Sequence, residues 1–328
     1  MRTLSWLSAL ALIAGLTWLG GLSAGSFPIT FAELWQVFSG EGEPLARSVI
    51  LELRLPRVAG AFAVGALLAL AGAYLQVLLG NPLADPYILG TSGGAAVGAL
   101  IVLLLGGGAV LVSGGALAGA LLSVAVVFTL AGAGGRWSTT RLLLTGVIVA
   151  AGWGALISFF LSVAPERDLR GMLFWLMGDL SHITTPWPAL ALAIAALFLS
   201  LPLARSLDLL ARGELQASAL GVEISRLRLA LYFAAALLTA AAVTLGGSIG
   251  FLGLVVPHLM RLVVGSAHRL LLPAAALFGG TLLVLADTLA RTAIAPRQLP
   301  VGVLTALIGV PVFLFLLQKS DRRRESPK

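Results

Sequence analysis

Residues 58–79 read VAGAFAVGALLALAGAYLQVLL, an unbroken apolar run without a single charge. Wound as a helix rising about 1.5 Å per residue, a run of this length crosses the ~30 Å hydrocarbon layer of a bilayer. Its small residues, Gly60, Gly65, Ala69 and Gly72 among them, let helix backbones approach closely where lipid gives no hydrophobic drive. Such a helix needs neighbours of the same kind, and the chain supplies them. Further runs are predicted at 4–24, 93–107, 109–132, 141–163, 187–204, 228–249, 253–266, 270–290 and 301–318, which with 58–79 makes ten spans. The expected fold is an all-α polytopic membrane bundle, a single transmembrane domain over 1–328.

Composition agrees. Only 11% of the 328 residues are charged and 59% are hydrophobic, against roughly 25% charged in a soluble domain. The first run carries one early arginine and ends on Leu22-Ser23-Ala24, features shared with a cleaved leader. Its length and the lack of an Ala-x-Ala site favour a retained first span. Cysteine is absent, which excludes disulfides and thiolate chemistry. Lysine occurs only at Lys319 and Lys328, so no phosphate-binding loop with its lysine can form. Any ATP that drives the protein is held by another polypeptide.

The net charge of +7 is a matter of topology rather than of nucleic acid. With ten spans, the N-terminus, the even loops and the tail hold fourteen Lys and Arg, and the odd loops hold seven. That two-to-one bias places both termini in the cytoplasm. Arg47, Arg54, Arg57, Arg167, Arg170, Arg291 and Arg297 are the outer exceptions. Among the acids only Asp287 falls within a span, with His258 in the short eighth one. An acid at membrane depth is a candidate for ion coupling, or it pairs with a neighbouring arginine. One titratable residue without an evident relay argues for energy supplied from outside the bilayer.

Three interruptions are informative. The loop 207–228, LDLLARGELQASALGVEISRLR, is expected to form an amphipathic helix with Leu210, Leu215, Ala219 and Leu220 on one face, ended by Gly221. Its basic face is thin, which favours docking to a partner over lying on lipid. The stretches GNPLADPYILGTSGG at 80–94 and LGGSIGFLGLVVPHLMR at 245–261 mix glycine and proline into apolar sequence. Broken helix of that kind is tolerated where neighbouring protein satisfies the backbone, and both stretches are expected to bend or gate.

These stretches, with LRLPR at 53–57, STTRLLLTGV at 138–147, LRGMLFWLMGDLS at 169–181, LVLADTLAR at 283–291 and LPVGVLTALIGVPVFLFLL at 299–317, closely resemble permeases of type II ABC importers for iron chelates, haem and cobalamin. The resemblance runs in order from about residue 48 to 318. It implies a non-enzymatic subunit of the cytoplasmic membrane that pairs with a second copy of itself. Two ABC ATPases, which use ATP and Mg, bind on the cytoplasmic side, and a substrate-binding protein docks on the other. No cofactor or metal is implied for this chain. By the same resemblance Thr139, Thr140, Asn81 and Leu83 line a cytoplasmic gate. Glu214, Leu215, Ala217, Leu220 and Gly221 form the coupling helix on the ATPase. Arg54, Arg57 and Arg291 meet acidic residues of the binding protein. The cargo is cobalamin, haem or a ferric siderophore, moved by alternating access; the rival reading is an ion-coupled transporter using Asp287.

Overall fold

The computed structural model describes residues 2–25, 27–132 and 138–325. Among these residues fifteen α-helices follow one another: α1 Arg2–Ser23, α2 Phe31–Ser39, α3 Pro44–Ser48, α4 Leu55–Leu78, α5 Thr91–Leu104, α6 Ala109–Gly132, α7 Thr139–Val163, α8 Glu166–Leu176, α9 Trp187–Ser200, α10 Ala204–Ala211, α11 Glu214–Ala219, α12 Ile224–Gly246, α13 Leu252–Val264, α14 His268–Thr292 and α15 Val301–Glu325. A π-helical stretch, Val49–Arg54, joins α3 to α4, and a 3-10 turn, Pro86–Leu89, precedes α5. No strand occurs among the described residues.

Among the described residues six helices are long and apolar enough to cross a membrane, and seven if α9 and α10, bent by 72°, count as one span. The apolar helices α5, α13 and the part of α15 from Val301 to Phe315 are shorter. With them the apolar helices number ten, in agreement with the predicted fold. The short α5 and α13 are each preceded by one of the punctuated stretches, which use up backbone that would otherwise be helix. The sixth run, expected to continue to 204, turns at Leu201–Leu203 beside Pro202, which cannot donate to a helix ladder.

The core is built on α4. Nearly every residue from Val58 to Leu78 is buried, and α14, α12, α9 and α13 pack around it. Backbone contact makes this possible. A Cβ on Gly72 would lie 1.9 Å from the Gly253 carbonyl oxygen, and one on Gly65 would lie 2.2 Å from that of Gly279. Lipid tails are as apolar as leucine, so such close van der Waals contact, not hydrophobic exclusion, holds the helices together.

At one end of the bundle α2 is seated on this core by Leu34 and Val37. Its start is fixed by a capping box, in which Thr30 accepts from the Glu33 amide while the Glu33 carboxylate accepts from the Thr30 amide. Those Thr30 hydrogen bonds hold the Glu33 carboxyl below the usual carboxylate range. Its end is a left-handed Gly40.

Candidate translocation and coupling sites

The two punctuated stretches, 165 residues apart at their starts in the sequence, are packed on each other. The Tyr87 hydroxyl donates to the Ile249 carbonyl at 3.0 Å and accepts from the Ile249 amide at 2.9 Å. Ser92 and Ser248 share a hydroxyl–hydroxyl bond of 2.7 Å. One side chain thus satisfies both backbone groups of a residue in broken helix, which is what unwound backbone requires away from water. Phe251 is left-handed (φ 70°), a costly conformation for a non-glycine residue that persists only where packing enforces it. Here its ring lies against Gly309 of α15. Asp85 accepts from the Tyr87 amide at 2.7 Å, and burial pushes its carboxyl up to about 6 against the lowering effect of that bond.

The expected gate residues lie at two helix ends. Asn81 and Leu83 occupy the turn after α4, where Asn81 Oδ1 accepts from the Leu83 amide at 2.9 Å and both side chains are exposed. Thr139 and Thr140 open α7, one half-buried and the other exposed. A direct packing contact joins the two regions: the Ile88 carbonyl occupies the space a side chain at Gly146 of α7 would need.

The coupling loop departs from the sequence expectation. Residues 207–228 do not form one amphipathic helix, because Gly213 adopts φ 126° and separates α10 from α11. Leu207 and Leu210 point into the core from α10, whereas Leu215, Ala219 and Leu220 are exposed. The single apolar face is therefore two faces, one for the bundle and one left bare. On α11, Ala217 is the buried footing, Leu215 is 89% exposed, and Glu214 pairs with Arg228 of α12. Gly221, left-handed at φ 83°, closes the helix, with the Val222 amide returning to the Ala217 carbonyl.

Sequence reasoning missed what fastens this segment. Asp208 of α10 accepts from the His268 amide at 2.9 Å and lies 2.6 Å from its ring Nδ1, tying α10 to the start of α14. Nearby, Arg261 donates to Gln76 Oε1, and Gln76 Nε2 donates to the Leu254 carbonyl, linking α13 to α4. Histidine just before an apolar run was the available signal for the first of these. A cavity of about 470 Å³ lies between them, lined by Gln76, Asp208, Arg212, Arg261 and His268.

The three arginines expected at a docking face have partners inside the chain. Arg54 is 6% exposed and donates to the carbonyls of Leu22, Ser23 and Phe27. Arg291 is 8% exposed and donates to those of Gly21 and Ala24. The physical reason is that the last carbonyls of α1 lack helical partners and carry negative dipole character. Arg57 grips both oxygens of Asp287 at 2.8–3.1 Å and reaches Gln298. Asp287 therefore pairs with an arginine, the plainer of its two sequence readings. A second cavity, about 810 Å³, is lined by α8, the end of α12 and residues 179–185, with Arg167, Arg170, Trp175 and His182 in its wall. No group of three metal-ligating side chains occurs among the described residues.

Comparison with known proteins accords with this architecture. The model of the FecCD transport family matches residues 11–319. The cobalamin import system permease of Halobacterium salinarum is 44% identical over 309 residues, 93% of this chain and 82% of that protein. The hemin transport system permease of Yersinia pestis is 39% identical over 317 residues, 93% of each chain. Among solved structures, a chain of a metal-chelate type ABC transporter in an inward-facing conformation superposes with a TM-score of 0.85 at 33% identity, covering 95% of this chain and 98% of that one. The chain belongs to the FecCD transport family.

Proposed function

We propose that this chain forms the membrane path of an ABC importer that carries a large metal chelate, namely cobalamin, haem or a ferric siderophore, across the cytoplasmic membrane by alternating access. Two copies enclose the path, and α7 faces the second copy. An ATPase that uses ATP and Mg seats against α11, and a substrate-binding protein delivers the chelate at the opposite end. The chain itself performs no chemistry and binds no cofactor. Its gate is the ring of Thr139, Thr140, Asn81 and Leu83, moved through the paired breaks at 80–94 and 245–251. Docking of the binding protein depends on Arg54, Arg57 and Arg291, which hold the shape of the end it meets.

The observation that carries this reading is the bare tip of α11, with exposed Leu215 and Leu220 set on the buried Ala217. A short helix with an apolar knob that no described residue covers fits the groove of a partner. Lysine occurs nowhere before Lys319, so nucleotide has to be bound by that partner. The names of the relatives supply the cargo class. The ion-coupled alternative has no support, because Asp287 is fully engaged by Arg57.

The test is Leu215→Asp. The variant should fold and melt as the parent does, yet lose co-purification of the ATPase and at least tenfold of chelate uptake. Undiminished uptake would remove α11 from the coupling role. Uptake of labelled cobalamin, haem and siderophores in the complete complex then identifies the cargo.

A further inference from the structure

The helix α2 has three distinct faces. Leu34 and Val37 are buried in the core of the bundle, together with Leu10 and Leu22 of α1 and Ile50. Gln36 and Ser39 are exposed and polar, with Glu33 beside them. The remaining face carries Phe31, Trp35 and Phe38, at 68%, 77% and 56% exposure. At 100° per residue, these aromatics fall within an arc of about 60°, between the buried face and the polar one. Nothing among the described residues covers them.

We propose that this aromatic face is a lipid anchor, sunk into the headgroup layer at the end of the bundle where α1 finishes and α4 begins. Three features select lipid as the occupant. The face carries no charge, whereas the adjoining face is polar, and a helix lying flat at a bilayer surface needs that division. Its side chains are tryptophan and phenylalanine, and amphipathic rings such as tryptophan's concentrate at headgroup depth. It also continues a lipid-facing surface, since α1 exposes Leu12, Ile13, Leu16 and Leu19 up to the same end, and Phe27 is exposed in the link to α2. The anchor is rigidly held. The capping box at Thr30 fixes one end of α2, Gly40 the other, and the Phe27 carbonyl of the link is bound by Arg54. The outer ends of α1 and α4 are thereby set at a fixed depth in the bilayer.

The chain has no cysteine, so single-cysteine variants report without background. Trp35→Cys and Gln36→Cys are each spin-labelled in the purified chain before the complex is assembled in lipid nanodiscs, and collision with oxygen, which partitions into lipid, is compared with collision with a water-soluble nickel chelate. The label at position 35 should favour oxygen over nickel by at least threefold, and the label at 36 should show the reverse. Addition of the loaded binding protein should leave the label at 35 unchanged. A nickel-accessible label at 35 would place the face in water and overturn the anchor. Shielding of that label from both agents, or its immobilisation by the binding protein, would assign the face to a protein partner instead. Phe38→Cys repeats the measurement should the tryptophan prove necessary for folding.

Discussion

The helices α4 and α7 are equally apolar and of nearly equal length, yet their surroundings are opposite. Almost every residue of α4 is covered by its own chain, while α7 buries only Leu142 and Gly146. Both contain glycines. Gly65 and Gly72 of α4 meet backbone, whereas Gly152 and Gly154 of α7 have no heavy atom within 4 Å of a Cβ placed there. In water such a difference would be written in polarity, because a bare helix face must be hydrophilic. In lipid it need not be, since leucine facing an acyl chain and leucine facing a helix are in similar solvents. Membrane depth is legible from composition; the inside of a membrane bundle is not.

The comparison can be broken at its strongest point by adding a side chain to each helix. Gly72→Val in α4 should cost more than the ~1–3 kcal/mol usual for overpacking, because the obstacle is the Gly253 carbonyl and not a mobile side chain. Size-exclusion chromatography should show no monodisperse protein. Gly152→Val in α7 should stay within about 0.5 kcal/mol of the parent. If both variants collapse alike, the bare surface of α7 is needed for folding and the contrast fails. A smaller loss is expected where α4 meets α14. Asp287→Ala leaves Arg57 and Arg291 without their carboxylate, at about 3 kcal/mol for a mostly buried pair. A lowered melting temperature in detergent measures it, and an unchanged one would show that the carbonyl contacts suffice. The smallest effect on stability belongs to Ile148→Cys on the bare face of α7, where Ile148 is exposed. Oxidative cross-linking should give a species of twice the chain mass if a second copy covers that face. Its absence in the intact complex would leave α7 to lipid.

Much of the architecture was legible for physical reasons that act over one helix length. Apolar run length gave the ten helices, and glycine with proline marked the breaks before α5 and α13. The missing lysines pointed to an external ATPase, consistent with the family. What could not be read depends on residues far apart in sequence. Nothing in LRLPR indicates that Arg54 turns toward the end of α1, or that Tyr87 holds both backbone groups of Ile249. The coupling loop misled for a local reason. Leu210 and Leu215, five residues apart, stand about 140° apart on an α-helix, so they share no face even without the break that Gly213 adds between them. A glycine inside a periodic run permits a break without announcing it.

The mooring of α1 by Arg54 and Arg291 has a consequence for biosynthesis. Made well ahead of α14, α1 meets the membrane long before that partner exists. Arg54 follows closely, but the guanidinium that binds Gly21 and Ala24 lies about 270 residues downstream. The helix can be threaded early and held at once by Arg54, but it is fully fastened only after α14 has been made. Until then it remains a guest in the bilayer, and a chain truncated before α14 would lose hold of its beginning as well as its end.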